Sequence, residues 1–270
     1  MPYKGSSVDD HVVVITGGGT GIGAAIAERF AIEGARVVVV GRRLGPLQEV
    51  SARTGAIAIV ADAADAESVT SVLTTVLELY GRVDTLVCNA GGPGFDSVGE
   101  THDAGWAEAL HTNLTTTFVM TREFLPALIE SNGRVVVISS LSGLFAGPSM
   151  AGYTTAKHAL IGLTKSLARD YGSHGVRVNT ICPGWVRTPM ADEEMDELVD
   201  AGAFVTRDKA YDAVTADLPL RRVAAPAEIA AVARFLGSDE SSYLTGATIV
   251  ADGGAHIVDL PTLAFEKARA

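Results

Sequence analysis

Short apolar runs alternate along this chain with longer stretches whose apolar positions recur every three or four residues. The short runs, at residues 11–15, 36–40, 57–61, 83–88, 134–138, 176–181 and 248–251, read as buried strands. The longer stretches read as helices over 21–33, 64–80, 101–110, 113–129, 151–171 and 226–236. In the 151–171 stretch Ala156, Leu160, Leu163, Leu167 and Ala168 form an apolar stripe. Gly34 stops the first helix, and Pro226 opens the last. Strands separated by helical lengths predict an α/β fold: a doubly wound parallel sheet of about seven strands with helices on both faces. Residues 1–10 read as a polar arm, and the stretch after Gly254 carries no pattern.

Composition narrows this picture. A chain of 270 residues, 47% hydrophobic and 20% charged, is ample for one core, so residues 1–270 are taken as a single domain. No apolar run is long enough to span a bilayer and the amino terminus is no secretory signal, so a cytoplasmic protein is expected. Cys88 and Cys182 sit in or beside apolar strands and are read as buried thiols, and the six histidines show no metal-ligand spacing. A net charge of −11 without a basic tract argues against nucleic acid or an anionic membrane as partner; a small-molecule substrate is expected from the motifs below.

Between the first strand and first helix lies Thr16-Gly-Gly-Gly-Thr-Gly-Ile-Gly23. Glycines there permit a tight turn and let a pyrophosphate approach the N–H groups of a helix start. Two registers fit, Gly19-x-Gly21-x-x-Ala24 and Gly17-x-x-x-Gly21-x-Gly23; the second begins directly after the strand and is preferred. The second strand ends in Gly41, Arg42 and Arg43, where an NAD site usually carries a carboxylate for the ribose 2′-hydroxyl. A small residue followed by guanidinium groups suits a 2′-phosphate, so NADP(H) is expected, with NAD(H) as the alternative. The competing reading is that both arginines merely open the next helix in solvent.

Chemistry concentrates around Ser140, at the carboxyl end of the fifth strand, and Tyr153-x-x-x-Lys157. Tyr153 and Lys157 lie one helical turn apart on one face. An ammonium near a phenol favours the phenolate, which suits acid–base work at a carbonyl or alcohol oxygen, and a serine hydroxyl can hold that same oxygen. Taken alone, such a pair is more often a surface pair; the strand-end serine and the glycine turn reverse that judgement. Residues 191–217 are acidic, with Asp192, Glu193, Glu194, Asp196, Glu197 and Asp200, and long for a connection. They form either a substrate lid or a solvated helical hairpin.

Several motifs in order resemble the short-chain dehydrogenases/reductases: Thr16-Gly-x-x-x-Gly-Ile-Gly23, Asp62, Asn89-Ala-Gly91, Asn113, Ser140, Tyr153-x-x-x-Lys157 and Pro183-Gly184-x-Val186-x-Thr188. The resemblance runs from about Val12 to Gly254 and implies a Rossmann fold. It implies a catalytic tetrad of Asn113, Ser140, Tyr153 and Lys157. Tyr153 would be the acid/base and Ser140 would polarise the substrate oxygen. Lys157 would lower the tyrosine pKa and hold the nicotinamide ribose, and Asn113 would hold a water linking Lys157 to solvent. Gly17, Gly21, Ile22 and Gly23 would face the pyrophosphate, with Asp62 and Ala63 by the adenine. Asn89, Ala90 and Gly91 would border the adenosine ribose, and Pro183, Gly184, Val186 and Thr188 the nicotinamide half. A homotetramer, less often a homodimer, is also implied. Two positions depart from the pattern: Cys88 stands where an asparagine is frequent, and Thr20 where many NADP-preferring members carry a basic residue. Arg42 and Arg43 are then the evident phosphate ligands.

The leading expectation is hydride transfer between NADP(H) and a hydrophobic secondary alcohol or ketone, in a pocket lined by Phe95, Leu141, Leu144, Phe145, Met150, Trp185 and Met190, with Ser140 and Tyr153 at the reacting oxygen. The first alternative is a 3-oxoacyl-[acyl-carrier-protein] reductase. Docking an acidic carrier needs a basic rim, whereas the positions where such reductases carry arginines read Glu130-Ser131-Asn132 and Ser173-His174. The second alternative is a dinucleotide-binding sensor or scaffold without turnover.

Overall fold

The computed structural model describes residues 7–268, so the first six residues of the expected polar arm lie outside it. Seven strands form one parallel sheet: β1 (Val12–Thr16), β2 (Arg36–Gly41), β3 (Ile57–Val60), β4 (Thr85–Cys88), β5 (Arg134–Ile138), β6 (Arg177–Pro183) and β7 (Thr248–Ala251). Their order is β3-β2-β1-β4-β5-β6-β7, with every neighbouring pair parallel. The chain thus reverses its direction of winding between β1 and β4, and the crevice at the carboxyl ends of those strands is where such sheets bind ligands.

Side-chain alternation along the strands builds two cores. In β1, Val12 and Val14 face one layer with α3 (Ala66–Tyr80), α5 (Thr116–Ser131) and α6 (Ala151–Tyr171). Val13 and Ile15 face the other, with α1 (Gly21–Ile32), α2 (Leu44–Thr54) and α9 (Pro226–Leu236). Phe124 and Leu160 fill the first layer, and Phe30 and Leu236 the second. Val8 also packs into the second core, so the arm is anchored from that residue on.

The structure departs from the sequence pattern at four places. The expected strand at 83–88 narrows to β4 because the buried Asp84 uses its carboxylate, rather than only its backbone, to accept from Val12 N at 2.9 Å. The helix expected from residue 64 starts at Ala66, where Asp65 caps it by accepting from Ser68 N at 2.8 Å. The two helices expected at 101–110 and 113–129 are joined: α4 (Asp103–Leu110) continues through a π-helical turn, His111–Thr115, into α5. In α6, Thr164 rather than Leu163 is fully buried, its hydroxyl paired with Thr180 of β6 at 2.5 Å.

Residues 189–215 form a helical hairpin, α7 (Pro189–Asp200) and α8 (Arg207–Thr215), with a small core of Ala191, Met195, Ala210 and Tyr211 against Trp185 and Phe204. Its polar side is tied by Arg207, which pairs with Asp196 at 2.5 Å and Asp192 at 3.1 Å; Asp192 also accepts from the Tyr211 hydroxyl at 2.9 Å. The last helix, α10 (Leu263–Lys267), follows two short 3₁₀ turns in the stretch that carried no pattern. Both cysteines are buried free thiols, and burial pushes Cys88 up to about 12. No helix among the described residues is long and apolar enough to cross a membrane.

Candidate active site

Two cavities meet at Tyr153. The first is a cleft of about 320 Å³ across the carboxyl ends of β1, β2 and β4. Gly17, directly after β1, turns the chain with φ +62°, and Gly23 packs so tightly that a Cβ there would lie 2.3 Å from Gly17 O. Thr20 precedes α1 without capping it through its side chain, so the helix start faces the cleft uncapped. Thr16, part of the motif but given no role in the sequence reading, fixes the opposite wall: its hydroxyl accepts from Asn89 N and Ala90 N, each at 3.0 Å. The Asn89 amide returns to Thr16 O at 3.0 Å and Gly17 O at 3.2 Å. Asp62 and Ala63 line the same cleft after β3, Asp62 holding Ala64 N at 2.9 Å.

Arg42 and Arg43 stand exposed at the end of β2 and line this cleft, and neither pairs with an acid among the described residues. Gly91, Tyr153, Lys157 and Thr188 complete it. Gly23 lies behind the wall rather than in it, and Pro183, Gly184 and Val186 line the second cavity instead. His111 and Thr112, which no motif flagged, also face the cleft. The glycine turn, the uncapped helix start and the carboxylate-free end of β2 fit a dinucleotide: two fixed sets of N–H donors for its diphosphate and free guanidinium groups for its ribose end.

The second cavity, about 360 Å³, is lined by Phe95, Ser140, Leu141, Phe145, Met150, Tyr153, Trp185, Met190 and Glu194, among others. Leu144, expected in this lining, points outward and is 37% exposed. Phe95 packs edge-on against Tyr153, with ring centroids 5.2 Å apart. The hairpin contributes Met190, Ala191 and Glu194. Sequence reasoning assigned Glu194 to an acidic cluster, and nothing in an acidic helix face tells which of its carboxylates turns inward.

The four residues of the implied tetrad converge. Lys157 is buried on α6 and donates to Ile138 O at 3.2 Å; its Nζ lies 5.4 Å from the centre of the Tyr153 ring. Ser139 docks this helix on β5 by donating to Lys157 O at 2.8 Å. Asn113 sits in the π turn. Its Oδ1 accepts from Gly92 N at 3.1 Å, and its Nδ2 donates to Ala109 O at 3.1 Å and Pro93 O at 3.2 Å. The side chain thereby ties the π turn to the 92–93 loop. A Cβ on Gly91 would lie 3.0 Å from Asn113 Oδ1 and 3.5 Å from Lys157 Nζ, so Gly91 is the spacer between them.

The electrostatics correct one expectation. Tyr153 is not lowered by Lys157. Burial pushes its phenol up and the nearby Glu194 adds to this, against a lowering hydrogen bond from Ser140. Burial lowers Lys157 to about 8, with the Cys182 thiol opposing, which still leaves it largely an ammonium at neutral pH. The phenol accordingly keeps its proton near neutral pH.

Comparison with known proteins was consistent with this arrangement. The family model described as Enoyl-(Acyl carrier protein) reductase matches residues 17–256. Protein MoaE of Klebsiella aerogenes is 48% identical over 269 residues, covering 94% of this chain and 99% of that protein. Meso-2,3-butanediol dehydrogenase of Serratia marcescens is 37% identical over 254 residues, covering 93% of this chain and 96% of the relative. Among solved structures, a variant of actinorhodin polyketide ketoreductase with NADPH superposes with a TM-score of 0.85 at 33% identity, covering 93% of this chain and 98% of that one.

Proposed function

Since this chain belongs to the short-chain dehydrogenase/reductase family, whose members are nicotinamide-dinucleotide oxidoreductases acting on CH–OH groups, we propose that it interconverts a hydrophobic secondary alcohol and its ketone with NADP(H), using Tyr153 as the acid/base. The observation that carries this reading is the placement of Tyr153: it stands in the wall shared by the dinucleotide cleft and the apolar cavity, with Ser140 beside it in the lining of the apolar cavity.

Hydride exchange at the carbinol carbon is the chemistry that the nicotinamide supplies when bound. The chain does the rest. Gly17, Gly21 and Ile22 with the start of α1 would hold the diphosphate, with Gly23 packed behind them, and Asp62, Ala63, Asn89, Ala90 and Gly91 the adenosine half. Lys157 would hold the nicotinamide ribose, and Pro183, Gly184, Val186 and Thr188 the nicotinamide side. Arg42 and Arg43 would take the 2′-phosphate; their guanidinium groups lack acidic partners among the described residues, which supports NADP(H) over NAD(H). In reduction, the Tyr153 phenol donates its proton to the substrate oxygen while Ser140 holds that oxygen, and the raised phenol pKa keeps the donor loaded. Lys157, near 8, is the next group able to restore that proton. The hairpin of α7 and α8 would close over the substrate as a lid, since Met190, Ala191 and Glu194 already line the cavity.

Reduction of a carrier-bound 3-oxoacyl thioester is less well supported. The substrate cavity has no basic residue in its lining, and the surface beside α5 ends in Glu130, Ser131 and Asn132. NADPH oxidation against a panel of cyclic ketones, aliphatic diketones and a 3-oxoacyl thioester tests this: turnover of the free ketones in preference to the thioester is expected, and the reverse order would replace the reading with the carrier-protein one.

A further inference from the structure

Glu194 is the one charged side chain in the lining of the apolar cavity. Of the other acids on α7, Asp192 pairs with Arg207 and Tyr211, Asp196 pairs with Arg207, and Glu193, Glu197 and Asp200 are exposed to solvent. Glu194 forms no hydrogen bond or ion pair with any described residue, and no Lys, Arg or His shares its cavity. The charged and titratable groups acting on it are Glu197 on its own helix and Tyr153 across the cavity on α6. A partly buried carboxyl without a donor is costly to the fold. Its oxygens are not among the sealed unpaired atoms, so they stay open to the cavity, and a substrate that displaces water there must supply the donor.

We propose that Glu194 is a specificity-determining residue that selects substrates carrying a hydrogen-bond donor, a hydroxyl or an amine, on the side remote from the reacting carbonyl, and that it rejects substrates carrying an anionic group there. Ser140 and Tyr153 address one end of the substrate, the aromatic rings of Phe95, Phe145 and Trp185 enclose its apolar body, and Glu194 reads the rest. Burial and Glu197 raise the carboxyl to about 7, so near neutral pH it can serve as acceptor in its ionised form and as acceptor or donor in its neutral form.

This inference rests on the proposed reaction, so selection is measured separately from turnover. The probes are cyclohexanone and the cyclohexanones that carry a hydroxyl, an amino or a carboxylate group opposite the carbonyl. Binding is measured by calorimetry on NADP-loaded Tyr153→Phe protein, and kcat/KM on the otherwise unaltered enzyme, each with and without Glu194→Leu and Glu194→Gln. A donor-bearing probe is expected to be preferred over cyclohexanone by roughly 10- to 100-fold, as for a hydrogen bond to a charged group. Glu194→Leu removes the preference and improves the carboxylate probe; Glu194→Gln retains part of it for the hydroxyl. Preference for the amine alone identifies a cationic substrate, and for the hydroxyl alone a neutral one. A preference unchanged by Glu194→Leu, or no measurable preference or binding for either donor-bearing probe, overturns the proposal. Loss of turnover with selective binding intact counts against the proposed reaction instead.

Discussion

Replacing Lys157 by methionine should stabilise the protein while abolishing its activity. Lys157 is 4% exposed, and its ammonium is satisfied among the described residues by one protein hydrogen bond, to Ile138 O. Burial lowers its pKa from 10.5 to about 8. The folded pKa lies below the unfolded one, so the unfolded chain binds the extra proton between these values and stability rises with pH through that window. At neutral pH the shift corresponds to a cost of about 3 kcal/mol. Losing the bond to Ile138 O offsets about 1 kcal/mol of what the substitution gains. The net gain of about 2 kcal/mol should raise Tm by roughly 4–8 °C in a domain of this size. The assay is thermal unfolding of cofactor-free wild type and Lys157→Met at neutral pH and again about 2.5 pH units higher, where the penalty falls to about 1 kcal/mol and the two proteins should nearly coincide. A variant less stable than wild type at neutral pH, or a gap that does not narrow as pH rises, would refute the reasoning.

Two further outcomes follow from the cleft. Arg42→Ala should lower the ratio of NADPH to NADH affinity by roughly 10-fold or more, as expected for a lost charge-assisted hydrogen bond; equal titrations for variant and wild type would return Arg42 to the solvent. Thr16→Val removes the hydroxyl that accepts from Asn89 N and Ala90 N. It should cost roughly 1–3 kcal/mol in urea unfolding and weaken NADPH binding, while a fold and an affinity both unchanged would mean that the 89–91 loop does not depend on Thr16.

The sheet was legible because each strand announces itself twice, by an apolar run and by the turn residues that follow it. β1 through β7 lie within two residues of the expected runs, and alternation with helices pointed to the parallel, doubly wound arrangement. The joined helices α4 and α5 were not legible. A π turn adds a residue to the helical repeat, so the apolar pattern slips at His111–Thr115 and reads as a break, although the backbone continues. The slip is also what carries Asn113 to the loop it holds. The hairpin was half legible: its acidic residues suggested a solvated surface, which Asp192 and Asp196 are, but a small core around Met195 and Tyr211 turns Glu194 inward. Motif spacing brought Tyr153 and Lys157 together correctly. It could not weigh burial against charge, because burial depends on helices and strands distant in sequence, and burial decides both of their pKa values.

The central claim is that Tyr153 exchanges the proton with the substrate oxygen. Its most direct test is to compare Tyr153→Phe with wild type in NADPH oxidation, using a ketone that the wild type turns over, together with NADPH binding by fluorescence. The account predicts NADPH binding close to wild type and kcat lower by roughly 10²–10⁴. A Tyr153→Phe protein that binds NADPH and turns the ketone over at the wild-type rate would contradict it.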